Sequence, residues 1–411
     1  MTETLHTADG SIRRLATVPW RALEGVADTI LPAIARVLDG TAAEREIDVL
    51  LRANRDLDSA QRAAVVEAIF GVGLWRRRLA AHVRSTEPRA LLFALLHDLG
   101  GVDQVRGAEL VGLTQPLPSY PTPARLAERW SYPDWIEAVF LREAGDEAEA
   151  LAATMCTPAP ICLRANALRT TRDALARILE AEGVSTRAAR FAPQALIVTS
   201  ERPNLLALAS FREGLFEVQD EASQLVAEIV QARPGETVLD FCAGAGGKTL
   251  ALAASMRGEG RLAAWDMDQD RLRRLAQRTR RAGANVEITG DVEADAVLVD
   301  APCSELGTLR RGPDLRFRLR EVDALRFPST QREILEDALL HVKRNGRLVY
   351  ATCTIRRQEN EDVALAFEQA HRELRRAPLA VPSQLVRDGF LRTWPHLHEM
   401  DGFFAAAWRR V

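Results

Sequence analysis

The second half of this 411-residue chain is predicted to be a doubly wound α/β domain with a mostly parallel, Rossmann-like sheet, preceded by an all-helical region and a small α/β insert. Three observations predict it. The stretch VLDFCAGAGGKT, residues 238–249, is an apolar run ending in Asp240, followed by small residues and a Gly-Gly-Lys that opens an Ala/Leu-rich segment. That is the pattern of a buried strand turning tightly into a helix. From there onward strand-like and helical runs alternate, as in a parallel sheet wound in both directions. Each strand-like run also ends in a polar residue, at the edge where open α/β sheets hold ligands.

Taken in order, residues 18–113 read as helices only. Apolar residues recur at helical spacing in Leu23, Val26, Ile30, Ile34 and Leu38, then in Ala64, Val65, Ala68, Ile69 and Val72, and again through 91–96. Asp58 or Ser59 fits the N-cap of the middle helix, and Pro88 fits a helix start. The run 57–83, with Arg76-Arg77-Arg78 at its far end, resembles the central helices of a NusB-like RNA-binding domain, expected over 1–115. The arginine triplet fits a solvated face equally well.

The proline-rich stretch 115–123 breaks all periodicity and reads as a linker. Beyond it come a helix start at Tyr132-Pro133-Asp134-Trp135, a strand at 161–166, a helix at 171–182, and strands at 195–199 and 214–218. Linker and insert together fill 116–225, with the insert of ferredoxin-like type and suited to serve as an RNA platform. The third region, 226–411, carries the glycine loop.

That loop does not suit phosphate binding. Gly244 and Gly247 stand too close for a Walker loop, and Lys248-Thr249 interrupts a GxGxxG reading. What remains is the looser glycine-rich loop of enzymes that bind S-adenosylmethionine, although any tight strand-to-helix turn would look similar. Of the 54 basic residues only Lys248 and Lys343 are lysine, which singles out the lysine inside the loop.

The next strand, 262–265, ends in Asp266, placed to accept both ribose hydroxyls of a nucleoside cofactor. The run 286–288 leads to Gly290-Asp291, a natural contact for an adenine edge; 296–299 ends in Asp300-Ala301-Pro302-Cys303; and 347–352 ends in Cys353-Thr354. A single carboxylate at a strand end is more often a helix cap, but the series disfavours that reading for the set.

Two strands thus deliver a thiol to the same edge, which suggests nucleophilic chemistry. Carbon 5 of cytosine is a poor nucleophile, and a thiolate that adds to carbon 6 turns the ring into an enamine that can attack a methyl donor. Such chemistry needs a nucleophile, a group for ring nitrogen 3 and the exocyclic amine, and help in release. Cys353, Asp300 and Cys303 can fill these roles. For Cys156, Cys162 and Cys242 the plainer reading, a small core hydrophobe, is kept.

At this point a resemblance emerges. Asp300-Ala301-Pro302-Cys303-Ser304, Ala351-Thr352-Cys353-Thr354 with Glu359-Asn360-Glu361, the loop 241–249 and Gly402-Phe403-Phe404 are similar to the motifs of the Nop/Sun family of RNA cytosine-5 methyltransferases. The likeness covers about 200 residues. The helical N-terminal part and residues 216–221 extend it toward the RsmB-type branch, which acts on small-subunit ribosomal RNA. The resemblance implies cofactor contacts from Cys242, Ala243, Gly244, Ala245, Gly246, Gly247, Lys248, Asp266, Asp291 and Asp300, with Cys353 as nucleophile and Cys303 assisting release. Three departures stand out: Glu305-Leu306 before Gly307, where small residues are usual; Ala245, where proline is common; and a short segment between Asp291 and Asp300. The run 310–318, rich in arginine with Phe317 interleaved, is expected along an exiting RNA strand, with a solvated face as the alternative.

The remaining bounds are looser. The net charge of −3 exerts no global pull toward nucleic acid, so RNA binding must rest on local patches. No stretch is long and apolar enough to span a membrane, and MTETLHTADG lacks the order of a secretory signal, so a cytoplasmic protein is expected; a monomer is expected as well. Five cysteines without a CxxC pair argue against a disulfide framework and a metal site. Two other readings remain: a transfer-RNA cytosine-5 enzyme, and a cofactor-binding assembly factor without turnover. A protein-amide enzyme would want Asn-Pro-Pro-Tyr where Asp300-Ala301-Pro302-Cys303 stands, and a DNA enzyme would leave Cys353 unexplained.

Overall fold

A computed structural model describes residues 14–201 and 203–411; the N-terminal segment read above for a secretory signal lies outside them. The chain divides into two compact units, one comprising residues up to Pro158 together with Leu309–Glu321, the other Ala159–Thr308 with Val322–Val411. Among the described residues no helix is long and apolar enough to cross a membrane.

The first unit is helical. Helices α1 (Ala27–Leu38), α2 (Ala43–Ala53), α3 (Ser59–Val83) and α4 (Pro88–Ala94) carry its core. Asp58 caps α3 through a capping box with Gln61, and Pro88 stands in the first turn of α4, as the sequence predicts. Burial of Ala64, Val65, Ala68, Ile69, Val72, Trp75 and Leu79 makes α3 the central element.

The arginine triplet holds this unit together instead of forming a basic face. Arg76 donates to the carbonyls of Val37 and Leu38 at the open end of α1 and to Gly73, while its guanidinium lies 4.1 Å from the Phe317 ring centroid. Arg77 bonds Tyr132 O and Asp134, and Arg78 grips Asp98 with two bonds. The proline-rich stretch is likewise pinned: Tyr120 N donates to His82 O, and Arg84 stacks on the Tyr120 ring at 3.8 Å.

The second unit contains two sheets. Strands β1 (Cys162–Ala165), β2 (Thr186–Ala188), β3 (Ala195–Val198) and β4 (Phe216–Val218) form an antiparallel sheet in the order β2-β3-β1-β4, backed by helix α5 (Arg172–Ala181). The larger sheet has β5 (Thr237–Asp240), β6 (Arg261–Ala264), β7 (Glu287–Ile288), β8 (Ala294–Asp300) and β9 (Val342–Thr352) in the parallel order β7-β6-β5-β8-β9. An antiparallel flank follows, of β10 (Leu374–Arg376), β11 (Val386–Arg387), β12 (Phe390–Arg392) and β13 (Phe404–Arg410), with β13 against β9.

Successive side chains of a strand point to opposite faces, so both faces of this sheet are apolar and both are covered. Val238, Leu298 and Val349 pack with α6 (Glu221–Val230) and α7 (Gly247–Ser255); Leu239, Val297, Val299 and Tyr350 pack with α8 (Phe327–Leu340). The chain runs from β5 outward to β6 and β7, then returns to β8 on the other side of β5. That reversal opens a crevice at the strand ends of β5 and β8.

Candidate functional site

A cleft of about 760 Å³ opens at this reversal, bordered by Asp240–Ala245, Gly247, Lys248, Trp265–Asp268, Asp300–Cys303, Glu305 and Cys353. Helix α8 supplies Thr330, Glu333, Ile334 and Asp337 to its wall. Ten of the twelve predicted site residues therefore meet in one place. The exceptions are Gly246, buried at the N-cap of α7 where a Cβ would stand 2.9 Å from Leu275, and Asp291, which is exposed and outside the cleft lining. The strand before Asp291 ends level with β6, Ile288 opposite Ala264, and Asp291 lies three residues further on.

The glycine loop is shaped by backbone geometry that side chains resist. Gly244 and Gly246 have φ of +54° and +87°. No atom lies within 4 Å of where a Cβ on Gly244 would stand, so the loop backbone borders open cleft, the space a ligand needs for close approach. Asp266 braces this loop: its two oxygens accept from the amides of Gly244 and Asp268, both at 2.8 Å. Trp265 and the 83 % exposed Met267 flank it, with Trp265 stacked on Phe241 at 5.1 Å.

Lys248 reaches across the crevice to Asp300, Nζ to Oδ2 2.7 Å, with its ammonium 5.1 Å from the Phe403 ring centroid. Burial pulls the Lys248 ammonium down, but the charge and hydrogen bond of Asp300 outweigh it, so its net shift is upward. Asp240 below is fully buried, bonded by Thr249 at 2.7 Å; burial pushes its carboxyl up to about 7. Cys242 is pushed up too, by burial and then by the charges of Asp240, Asp300 and Asp266.

The two thiols face each other at the cleft, Sγ to Sγ 3.4 Å. The hydrogen bond to Cys353, and then burial, push the Cys303 thiol well up, and either sulfur can be the donor between them. Their loops are tied together: Gly307 N donates to Cys353 O, and Gly402 N to Gly307 O, at 3.0 and 2.9 Å. A Cβ on Gly307 would stand 1.9 Å from the Gly402 carbonyl oxygen, so only glycine fits there. Glu305 sits in left-handed backbone at φ +55° and borders the cleft.

The sequence reading gave no role to two features of the site. Arg278 bonds both Glu217 and Ala245 O, and the buried Arg164 bonds Gln219 and Gly247 O, so the glycine loop is held from outside by arginines; burial lowers Arg164 to about 10. Glu359 lies between the cysteine loops, and its place beside Asn360 and Glu361 downstream of Cys353 was the one available signal. Conversely, the expected RNA-facing run 310–318 belongs to the helical unit. Arg316 there is fully buried, donating to Trp130 O, Met155 O and Cys156 Sγ, 4.1 Å from the Tyr132 ring centroid.

Residues 227–409 match the family described as 16S rRNA methyltransferase RsmB/F, and residues 132–204 match the ferredoxin-like domain of RsmF/B-like methyltransferases. The chain is 36 % identical over 299 residues to the probable ribosomal RNA small subunit methyltransferase B of Synechocystis sp., covering 68 % of this chain and 67 % of that protein. It is 32 % identical over 306 residues to the protein of the same description in Bacillus subtilis, covering 70 % and 68 %. Among solved structures it resembles PH0851, with a TM-score of 0.78 and 25 % identity over 96 % of this chain and 99 % of that one.

Proposed function

The chain belongs to the RsmB/F family of rRNA methyltransferases, and from that premise we propose that it methylates carbon 5 of a cytosine in small-subunit ribosomal RNA through a transient bond between Cys353 and the base. The observation that carries the proposal is the facing pair of thiols, 3.4 Å apart at the glycine-lined cleft and beside Asp300.

The cleft residues fit S-adenosylmethionine: open space above Gly244, a braced carboxylate at Asp266, and the Trp265 and Met267 side chains beside it. When bound, that cofactor supplies a methyl group on an electrophilic sulfonium. Cys242–Ala245, Gly247, Lys248 and Asp266 would hold it.

The Cys353 thiolate adds to carbon 6 of the cytosine, forming the C–S bond and moving electron density to carbon 5, which becomes the nucleophile. As the adduct forms, nitrogen 3 takes up a proton from water in the cleft and gives it back when the C–S bond breaks; Asp300, fixed by Lys248, accepts hydrogen bonds from this N–H and from the exocyclic amine, which stabilises the adduct. After carbon 5 is methylated, its proton leaves to a base or water in the cleft, the carbon 5–carbon 6 double bond re-forms, and the C–S bond breaks. Cys353 departs as thiolate, and the S–H of Cys303 stabilises it by hydrogen bonding.

Bisulfite sequencing of RNA from a deletion strain, with and without a plasmid copy, tests the target. Loss and restoration of one cytosine signal in small-subunit rRNA is the expected result. Loss confined to transfer RNA would move the enzyme to another substrate, and no loss anywhere would favour an assembly factor.

A further inference from the structure

We propose that Glu359 is a positioning residue that sets the geometry of the two cysteine loops; this rests on the assignment of Cys353 as nucleophile and Cys303 as release partner. Its side chain is wholly buried, yet every oxygen is engaged. Oε1 accepts from Ser304 Oγ at 2.6 Å and from Arg356 at 2.9 Å; Oε2 accepts from Ser304 N at 2.9 Å and from Gln331 at 3.1 Å. Its backbone carbonyl accepts from Tyr350 OH.

These partners are the flanks of the site. Ser304 follows Cys303 directly, and its hydroxyl also meets Thr354 Oγ1 at 2.8 Å, the residue after Cys353. Gln331 donates as well to Pro302 O, on the other side of Cys303, and stands on α8 beside the cleft residue Thr330. Arg356 ties the carboxylate to Ala324 O. One buried carboxylate thus bonds the backbone next to one thiol and, through Ser304, the side chain next to the other.

A buried charge is costly unless paired and hydrogen-bonded, and this one is paired with the equally buried Arg356. What an apolar residue cannot supply is directional bonding to the Ser304 amide and hydroxyl. Glu359 makes no hydrogen bond to either thiol; its bonds act through the loops, while its charge also reaches Cys303 through space, an effect that Ser304→Ala leaves in place.

The test uses the full chain with Glu359→Gln, which keeps the shape but turns one acceptor into a donor facing Ser304 or Arg356, and with Ser304→Ala, which removes only the hydroxyl. Two readouts are taken. In turnover, kcat is expected to fall on the order of 100-fold for Glu359→Gln, as misplacement by about 1 Å can cause, with the KM for RNA unchanged and denaturant-stable protein–RNA adduct accumulating. Without RNA, diamide takes two electrons and two protons from the thiols, and the rate at which a Cys303–Cys353 disulfide forms, followed by peptide mass, is expected to drop severalfold. Ser304→Ala should shift both in the same direction by less, and it carries the test if Glu359→Gln does not fold.

A merely structural Glu359 would lower melting temperature while leaving kcat of the folded protein and the pairing rate at wild-type values, and that result overturns the proposal. Failure of the underlying reading looks different: Cys353→Ala would then retain methylation, whatever Glu359→Gln does.

Discussion

Lys248 Nζ donates to Asp300 Oδ2 across 2.7 Å and so joins the glycine loop to the end of β8, on either side of the point where the sheet reverses direction. The lysine end is buried, its side chain 10 % exposed, while the Asp300 side chain, 29 % exposed, borders the cleft. Replacing Lys248 with Met should cost about 1.5–3 kcal/mol of stability, the range for hydrogen bonds to charged groups, and should sharply reduce methylation because Asp300 loses its brace. Lys343 is the internal comparison. It pairs with Asp295 in a half-exposed bridge, so Lys343→Met should change stability by about 0–1 kcal/mol. Urea melts of both variants, with turnover alongside, check the contrast.

Asp266 braces the glycine loop and, in the proposed function, would also hold the cofactor. Asp266→Ala should weaken S-adenosylmethionine binding by about 1.5–3 kcal/mol and loosen the Gly244 turn. Calorimetric titration reads the first effect, and amide exchange at Gly244 the second. Unchanged affinity would remove Asp266 from the site.

The buried Asp240 makes stability depend on pH in an unusual direction. Its folded carboxyl titrates at about 7, above the ordinary carboxylate range near 4, so between those values the folded state holds a proton the unfolded chain has released. Stability from this group is therefore complete below about pH 4 and declines, by at most about 1.4 kcal/mol per pH unit, until about pH 7. Asp240→Asn abolishes that titration. Its stability relative to wild type should rise from pH 5 to pH 7 and level off above, as denaturant melts across that range will show; a flat difference would contradict the assignment.

Much of this site was legible in the sequence because it lies where periodicity is strongest. Buried strands of a parallel sheet read as short apolar runs, and the polar residue ending each run marks the ligand edge, so Asp240, Asp266, Asp300 and Cys353 could be placed without coordinates. Asp291 was placed by the same rule, but it follows the end of β7 by three residues and stands exposed outside the cleft lining. Arginines were the harder class. Whether a guanidinium faces solvent, as expected for Arg310–Arg318, or fills a polar pocket, as Arg316 does, depends on carbonyls distant in sequence, here those of Trp130 and Met155. The same holds for Arg76, whose acceptors at Val37 and Leu38 precede it by nearly forty residues.

Arg76 supplies the fourth prediction. Desolvation lowers its guanidinium to about 10, so it stays charged at neutral pH while closing the C-terminal end of α1. Arg76→Met should destabilise the helical unit by about 1–3 kcal/mol through the carbonyls left without a donor. Thermal melts of the full chain read the loss. Cofactor affinity, measured in parallel, should not change, because the whole cleft lining belongs to the other unit.

The division of labour between the thiols is tested most directly by a denaturing gel of the full chain incubated with labelled substrate RNA and S-adenosylmethionine. Cys303→Ala should give a slow-migrating protein–RNA band that survives denaturant, since attack by Cys353 and methyl transfer proceed while release stalls. Cys353→Ala, and the double variant, should give neither band nor methylated RNA. A band from Cys353→Ala that disappears in the double variant would contradict the account and make Cys303 the nucleophile.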